Sequence, residues 1–428
     1  MKAAFYTLGC KVNQYDTQAM RELFEGAGYE IVDFEDAADV YVINTCTVTA
    51  TGDKKSRQMI SRAHGRNPDA KIVVAGCYSQ RAPEEVLSLP GVNLVIGSKD
   101  RNRVVELVEQ LREGIYNAVS SLKDEREFEE LIATREGLTR AHLKIQEGCD
   151  RYCTYCIIPY ARGPLRSRSL ENIKKNLLLL EQNGYAEVVL TGIHLMSYGK
   201  DMQDGVTLLD AIAQADDIEG IKRVRLGSLE PQLLTDEFVA ALRDNPKICR
   251  QFHLSMQSGS DGVLRRMNRR YDTAVYRRCV DMLRGAMPGC AITTDVIAGF
   301  PGETEREFAE TLEFVRSIGF ARMHVFPYSR REGTVAFSMP NQIPNSEKSR
   351  RAAELIAVGA ELEREYLAGY VGRECEVLLE EREDGLMSGY TDTYARTGVR
   401  GADESMAGRI VRVRITEAQN DRMTGDLI

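Results

Sequence analysis

Short apolar runs and stretches of helical periodicity alternate through the first 125 or so residues. Ala3 to Leu8, Val40 to Asn44 and Lys71 to Ala75 are apolar on successive positions, as strands buried on both faces are. Asp16 to Glu25, Gly52 to Ala63 and Arg101 to Arg112 instead space their apolar residues as amphipathic helices do. This alternation predicts a parallel α/β sheet. A charged stretch, Lys123 to Glu127 with Glu129 and Glu130, reads as a link to the next domain. From about 139 to 366 the alternation resumes in longer units. The predicted strands are His142 to Gln146, Glu187 to Thr191, Arg223 to Gly227, Phe252 to Met256, Ile292 to Ala298 and Met323 to Tyr328, separated by helices such as Glu171 to Asn183 and Glu303 to Ile318. Six such units predict a partial (β/α)6 barrel.

The segment Leu362 to Gly372 ends the last helix, and the texture then changes. Cys375 to Glu380, Leu386 to Tyr390, Tyr394 to Val399, Ile410 to Ile415 and Arg422 to Leu427 are short strands punctuated by Asp384-Gly385, Gly401 and Gln419-Asn420. They predict a small antiparallel β-barrel, an architecture that often binds RNA. The fold class is therefore α/β, with parts spanning 1–125, 139–366 and 370–428.

Composition adds compartment and charge. In the 428 residues, 43% hydrophobic and 28% charged content is that of an ordinary globular protein. The short apolar start runs directly into Cys10, which predicts neither a signal peptide nor a membrane anchor. Ten cysteines without a secretion signal point to reduced, metal-binding thiols and a cytoplasmic location. The net charge of −8 argues mildly against nucleic acid, but basic residues cluster at Arg162, Arg166 and Arg168, at Arg265, Arg266, Arg269 and Arg270, and at Arg409, Arg412 and Arg414. Each cluster also reads as a solvated helix face or strand edge.

The cysteines carry the chemistry. Cys149, Cys153 and Cys156 follow the first barrel strand in one short loop, which lets them hold three corners of an iron-sulfur cube and leaves one iron open. A zinc knuckle is the competing reading, but zinc sites usually pair two C-x-x-C hooks or add spaced histidines, and no second hook follows. Cys10, Cys46 and Cys77 lie just beyond the three N-terminal strands. In a parallel sheet those ends share the edge where α/β folds place ligands, so a second three-cysteine cluster is expected there. Gly9 and Gly76 allow close backbone approach. Cys249, Cys279, Cys290 and Cys375 lack this placement and read as structural.

Five motifs coincide with these sites: Thr7-Leu8-Gly9-Cys10-Lys11-Val12-Asn13-Gln14, Asn44-Thr45-Cys46, Ala75-Gly76-Cys77, the cluster loop continuing into Ile157-Ile158-Pro159-Tyr160-Ala161-Arg162-Gly163, and Gly299-Phe300-Pro301-Gly302-Glu303-Thr304. Together they resemble the methylthiotransferases, radical S-adenosylmethionine (SAM) enzymes with an N-terminal cluster domain and a C-terminal RNA-binding barrel of the TRAM type. The opening motif, Gln146 to Cys149 and Thr191 to His194 are most similar to the branch acting on N6-threonylcarbamoyladenosine in tRNA.

The resemblance implies replacement of hydrogen by a methylthio group at C2 of the modified adenosine 3' of the anticodon. It implies two 4Fe-4S clusters, one SAM for the radical and another for the methyl group. Cys149, Cys153 and Cys156 match the radical SAM ligands, and Cys10, Cys46 and Cys77 match the auxiliary ligands. Strand-end position nominates Gly192, Ser228, Glu230, Gln257 and Asp295 for SAM, with Tyr155 near the adenine; each also reads as a barrel-core polar group. Arg162, Arg265 and Arg266 are candidates for the tRNA backbone, and Arg409, Arg412, Arg414 and Tyr394 form an expected RNA-facing set. Expected partners are the tRNA anticodon stem-loop and an electron donor of flavodoxin or ferredoxin type. Alternatives are isopentenyladenosine in tRNA or a ribosomal-protein aspartate as substrate. A non-catalytic iron-sulfur protein is a further alternative, although electron-transfer clusters are normally closed by four cysteines.

Overall fold

The computed structural model describes residues 1–111, 114–135 and 139–428. The N-terminal sheet is parallel and six-stranded, in the order Glu30–Val32, Lys2–Thr7, Val40–Thr45, Lys71–Gly76, Val92–Val95 and Tyr116–Asn117. Every residue of Val40–Thr45 is buried, because side chains pack beneath both sheet faces. Ala4, Tyr41, Ile43, Ile72 and Val74 fill one side, and Val40, Val42, Val73 and Ala75 the other.

The helix Lys11–Gly26 divides its apolar face between two cores. Met20 and Phe24 pack on the N-terminal sheet, whereas Tyr15 and Ala19 join the core of the central barrel. The predicted helix Arg101–Arg112 begins instead as a 3-10 turn, Arg101–Arg103, followed by Val104–Gln110. Asp100 is left-handed there (φ 62°), which turns Arg101 fully into the interior. Arg112 lies outside the described residues.

The central strands Arg140–Glu147, Glu187–Gly192, Arg223–Leu226, Gln251–His253, Ala291–Ala298 and Arg322–Pro327 are parallel to their neighbours, with parallel bridges Val224 to Ile248 and Leu229 to Leu254 joining the two halves. This is the expected partial barrel. The fourth strand stops earlier than predicted, because Gln257 takes a left-handed φ of 69° and the Met256 amide donates to Thr294 Oγ1 at 3.0 Å. Alternate residues such as Leu143, Leu190, Leu226 and Ile292 pack beneath the helices, while Lys144, Glu187, Arg225, Gln251 and Thr293 lie on the inner face.

Residues Glu374–Glu383, Leu386–Thr391, Arg396–Arg400, Ile410–Gln419 and Arg422–Leu427 close a five-stranded barrel. Its closing pair, Arg396–Arg400 with Arg422–Leu427, is parallel and the other pairs are antiparallel. A closed ring of odd strand number cannot alternate direction all the way round, so one parallel pair is unavoidable. Arg223 and Arg225 on the central barrel donate to backbone carbonyls of Tyr390, Thr391, Asp392 and Glu376. Tyr390 and Tyr394 stack at 4.7 Å with the Arg140 guanidinium over both rings.

The stretch 123–135 is more tightly held than a solvated link. Leu131 and Ala133 are buried, the Leu131 carbonyl accepts from Tyr15 Oη and Arg168, and Glu129 pairs with Arg101. Beneath it lies a buried ionic network. Asp16 accepts from Arg101 and Lys144, and lies 3.5 Å from Arg162 Nη1. Glu147 pairs with Arg162 at 2.8 Å, Lys144 at 3.3 Å and Arg101 at 3.6 Å. Burial alone would raise the Glu147 carboxyl, but Arg162, Lys144 and Arg101 outweigh it and hold it below the usual carboxylate range.

Removing one member strands its partners as uncompensated buried charges. Asp16→Ala is therefore expected to destabilise the protein by about 3–5 kcal/mol in denaturant titration. An effect below about 1 kcal/mol would mean that the network is solvated and dispensable.

Candidate functional site

Cys10, Cys46 and Cys77 stand at the ends of three adjacent parallel strands, and they grade from exposed through half-buried to buried. Convergence is built into the backbone. Gly9 has φ 107°, and a Cβ there would lie 3.0 Å from Asn13 Nδ2 and 3.2 Å from Cys46 Sγ. Gly76 has φ 98°, and a Cβ would meet Asn44 Oδ1 at 2.4 Å and the Thr45 carbonyl at 2.6 Å. Asn13 ties two of the loops together, donating to the Leu8 carbonyl at 2.6 Å and the Thr45 carbonyl at 3.0 Å.

The loop bearing Cys149, Cys153 and Cys156 is held by its own backbone and by the barrel. The Cys149 amide donates to the Gly163 carbonyl at 3.1 Å and the Cys156 amide to the Cys153 carbonyl at 2.9 Å. Thr154 bonds the Met267 and Arg266 carbonyls. Burial pushes the Cys46, Cys149 and Cys156 thiols up to about 12, so metal binding must displace protons.

The thiols within each set influence one another electrostatically, yet among the described residues no three His, Cys, Asp or Glu are placed to hold a single metal ion. Three sulfur donors per set, with glycine rather than a side chain beside Cys46, fit a group larger than an ion. Each set also meets one guanidinium: Arg162 Nε lies 3.2 Å from Cys77 Sγ, and Arg269 Nη1 lies 3.2 Å from Cys153 Sγ. Such donors stabilise sulfur-borne negative charge.

Arg162 corrects the sequence reading. It is fully buried, with Nη1 on both Glu147 oxygens at 2.8 and 2.9 Å and Nη2 bonded to Asn13, so it has no surface for a phosphate. Instead it spans from Cys77 to the residue two before Cys149. Tyr394 is corrected likewise, being stacked between Tyr390 and the Arg225 guanidinium at the junction of the two barrels. Arg265 is exposed, whereas Arg266 is bidentate to Glu307 at 2.8 and 2.9 Å. Arg409, Arg412 and Arg414 are exposed, and the last two alternate with buried Val413 and Ile415 and pair with Glu374.

Gly192, Ser228 and Gln257 lie at or beyond the C-terminal ends of their strands, and Asp295 lies within its own. A Cβ on Gly192 would meet Gln146 Oε1 at 2.8 Å, Ser228 is exposed, and the Gln257 amide donates to the Asp295 carbonyl at 2.9 Å. Asp295 lies 3.4 Å from His253, and Tyr155 meets Phe300 edge-on at 6.5 Å. Glu230 is committed to the protein: it bonds His194 and lies 3.5 Å from Arg151 and 3.8 Å from Arg269. Burial opposes its ionisation, but His194, Arg269 and Arg151 prevail and bring its carboxyl down to about 2. Asp16, Lys144, Glu147, Arg151, His194 and Arg269 were not nominated. Polar residues alternating along Arg140–Glu147 were the available signal for Lys144, whereas Asp16 and Arg269 meet partners remote in sequence.

Two separated cysteine triads on an α/β domain and a partial barrel, with a small β-barrel appended, define a radical SAM architecture. Three family descriptions match in order: uncharacterized protein family UPF0004 over residues 2–97, the radical SAM superfamily over 143–315 and the TRAM domain over 369–428. A Bacillus subtilis protein named threonylcarbamoyladenosine tRNA methylthiotransferase is 47% identical over 97% of this chain and 94% of its own length. A Moorella thermoacetica tRNA-2-methylthio-N(6)-dimethylallyladenosine synthase is 36% identical over 99% of this chain and 97% of its own. Among solved structures, the Kitasatospora setae radical SAM methyltransferase TsrM aligns with TM-score 0.57 at 15% identity, over 76% of this chain and 72% of that one, a likeness of fold.

The chain belongs to the radical SAM methylthiotransferase family. It is an enzyme of that class, and its cofactors are SAM and two 4Fe-4S clusters. No helix among the described residues is long and apolar enough to cross a membrane.

The exposed arginines can be tested for a part in RNA binding. Changing Arg409, Arg412 and Arg414 together to alanine is expected to weaken tRNA binding and to lower the slope of log K against log salt by roughly 1 per lost phosphate contact. Unchanged affinity and slope in a salt titration would show that this strand faces away from RNA. Tyr394→Ala, by contrast, is expected to leave the slope unchanged and to expose the Tyr366–Arg373 junction to limited proteolysis.

Proposed function

We propose that this enzyme places a methylthio group on C2 of N6-threonylcarbamoyladenosine, the adenosine 3' of the anticodon in tRNA. The observation that carries the substrate is 47% identity over nearly the whole chain to a protein named for that nucleoside, against 36% for the relative named for dimethylallyladenosine. Dimethylallyladenosine is the second reading, because that relative also spans the full chain.

Cys149, Cys153 and Cys156 hold one cluster, and Cys10, Cys46 and Cys77 the other. When bound, the first supplies the electron that cleaves SAM, and the second an iron at which sulfur can be presented. The chain's own residues orient and enclose. Gly192, Ser228, Gln257 and Asp295 line the SAM side of the mouth, with Tyr155 on the cluster loop. Glu230 fixes Arg151 and Arg269 over that loop instead of meeting SAM with a free carboxylate. Arg162 holds the two cluster edges in register through Glu147 and Cys77.

The working parts are 1–125 for the auxiliary site, 139–366 for the SAM barrel and 370–428 for tRNA, with Arg265, Arg409, Arg412 and Arg414 toward the backbone. An enzyme acting on tRNA with oxygen-sensitive clusters works in the cytoplasm, reduced by a donor of flavodoxin or ferredoxin type.

Nucleoside mass spectrometry of tRNA from cells with and without the protein tests the substrate. Methylthio-threonylcarbamoyladenosine should vanish without it, and loss of the dimethylallyl product instead would transfer the assignment to the second reading. Anaerobic reconstitution should give about eight irons per chain, and about half after Cys149, Cys153 and Cys156 are changed to alanine. The triple change of Cys10, Cys46 and Cys77 should retain 5'-deoxyadenosine formation and lose methylthiolated product. Loss of SAM cleavage in that variant, with the other cluster's iron intact, would count against this division.

A further inference from the structure

Arg162 buries a full charge beside one auxiliary ligand, and each nitrogen of its guanidinium has a partner. Nε donates to Cys77 Sγ at 3.2 Å, Nη1 meets the two Glu147 oxygens at 2.8 and 2.9 Å and lies 3.5 Å from Asp16 Oδ2, and Nη2 donates to Asn13 Oδ1. The orientation of Asn13 leaves no choice in this last contact. Its Nδ2 is spent on the Leu8 and Thr45 carbonyls at 2.6 and 3.0 Å, so its oxygen is the group left to face Arg162.

The backbones that carry the two side chains are held together as well. Cys77 opens the short helix Cys77–Arg81, which packs on Ile158–Arg162. The Arg162 carbonyl accepts from Arg166 Nη2 at 3.1 Å. The guanidinium cannot leave the sulfur without also giving up Glu147 and Asn13.

The three auxiliary ligands are therefore unequal. Cys10 is exposed, Cys46 is half-buried and Cys77 is buried, and among the described residues a side-chain donor reaches Cys77 alone of the three. Water would screen a cation beside Cys10, whereas nothing screens the one at Cys77. Reduction of an iron-sulfur cluster adds one electron and changes no bond, and hydrogen bonds to its sulfurs help to set the potential at which this happens. A cationic N–H donor favours the more negative, reduced form. Arginine stays charged at every working pH, so the bias is permanent.

We infer that Arg162 sets the reduction potential of the auxiliary cluster, raising it above the value the three thiolates alone would give. Because Arg162 belongs to the barrel and Cys77 to the N-terminal domain, the potential of the auxiliary site depends on how the two domains dock. Glu147 and Asn13 are positioning residues for this contact, aiming Nε at the sulfur. The inference rests on the assignment of Cys10, Cys46 and Cys77 to that cluster.

The test is an anaerobic redox titration of the full-length protein with both clusters loaded, poised with titanium(III) citrate and mediators and read by electron paramagnetic resonance. The auxiliary signal is the one retained when Cys149, Cys153 and Cys156 are changed to alanine. Arg162→Gln is expected to lower the auxiliary potential by about 59 mV or more, a tenfold change in the one-electron equilibrium, and to leave the other cluster where it was. Arg162→Lys keeps a charge beside Glu147 and should shift it in the same direction by less. An unchanged auxiliary potential in a fully loaded Arg162→Gln protein overturns the inference, and so does an equal shift of both clusters, which a merely structural loss would produce. A second measurement leaves Arg162 in place and decides the matter if the glutamine variant does not fold. With isotopically labelled arginine in the triple-cysteine variant, pulsed resonance of the reduced auxiliary cluster should show hyperfine coupling to a guanidinium nitrogen, and its absence overturns the inference. If the triple-cysteine variant binds no iron, the assignment of Cys10, Cys46 and Cys77 has failed and takes the inference with it. If iron binds and the potential ignores Arg162, that assignment stands and only the role of Arg162 falls.

Discussion

The buried network of Asp16, Glu147, Arg101, Lys144 and Arg162 is the constraint on which the rest depends. Two carboxylates and three cations from both the N-terminal domain and the barrel are withdrawn from water together. Such an arrangement is stable only when all members are in place, because each unpaired charge costs several kcal/mol in the interior. It therefore acts as a registration device. Asp16 lies on the helix that starts beside Cys10, and Glu147 ends the strand that leads to Cys149, so aligning the charges aligns the cysteine triads.

Arg162 concentrates this logic in one side chain. Its Nη1 meets both Glu147 oxygens, its Nη2 meets Asn13 and its Nε reaches Cys77. A lysine could supply the charge but not three directed contacts at fixed angles. Arg269 and Glu230 repeat the pattern on the other triad, where a buried carboxylate secures the cation beside Cys153. The cysteines alone would define two separate thiol sets; Arg162 ties the first to the strand that leads to the second.

A second set of arginines fixes the C-terminal barrel. Arg223, Arg225 and Arg140 project from barrel strands onto carbonyls and tyrosine rings of the small barrel. Cation–π contacts of this kind are worth about 0.5–2 kcal/mol each. Several together hold a module whose outer strand still presents Arg412 and Arg414 to solvent.

Local pattern determined the elements and the cysteine chemistry. Period-2 and period-3.6 spacing located the three strands before Cys10, Cys46 and Cys77, the barrel strands and the five short C-terminal strands, since burial of alternate or successive residues acts within each element. The tight spacing of Cys149, Cys153 and Cys156 needs no distant partner to be recognised. Tertiary structure alone decided which charged residues are solvated. Arg162 and Tyr394 look like surface residues in sequence, yet a partner 149 positions away buries the first and one 169 positions away stacks on the second. Electrostatic partners are chosen by proximity in space, and a charge carries no mark in the sequence of the charge it will meet.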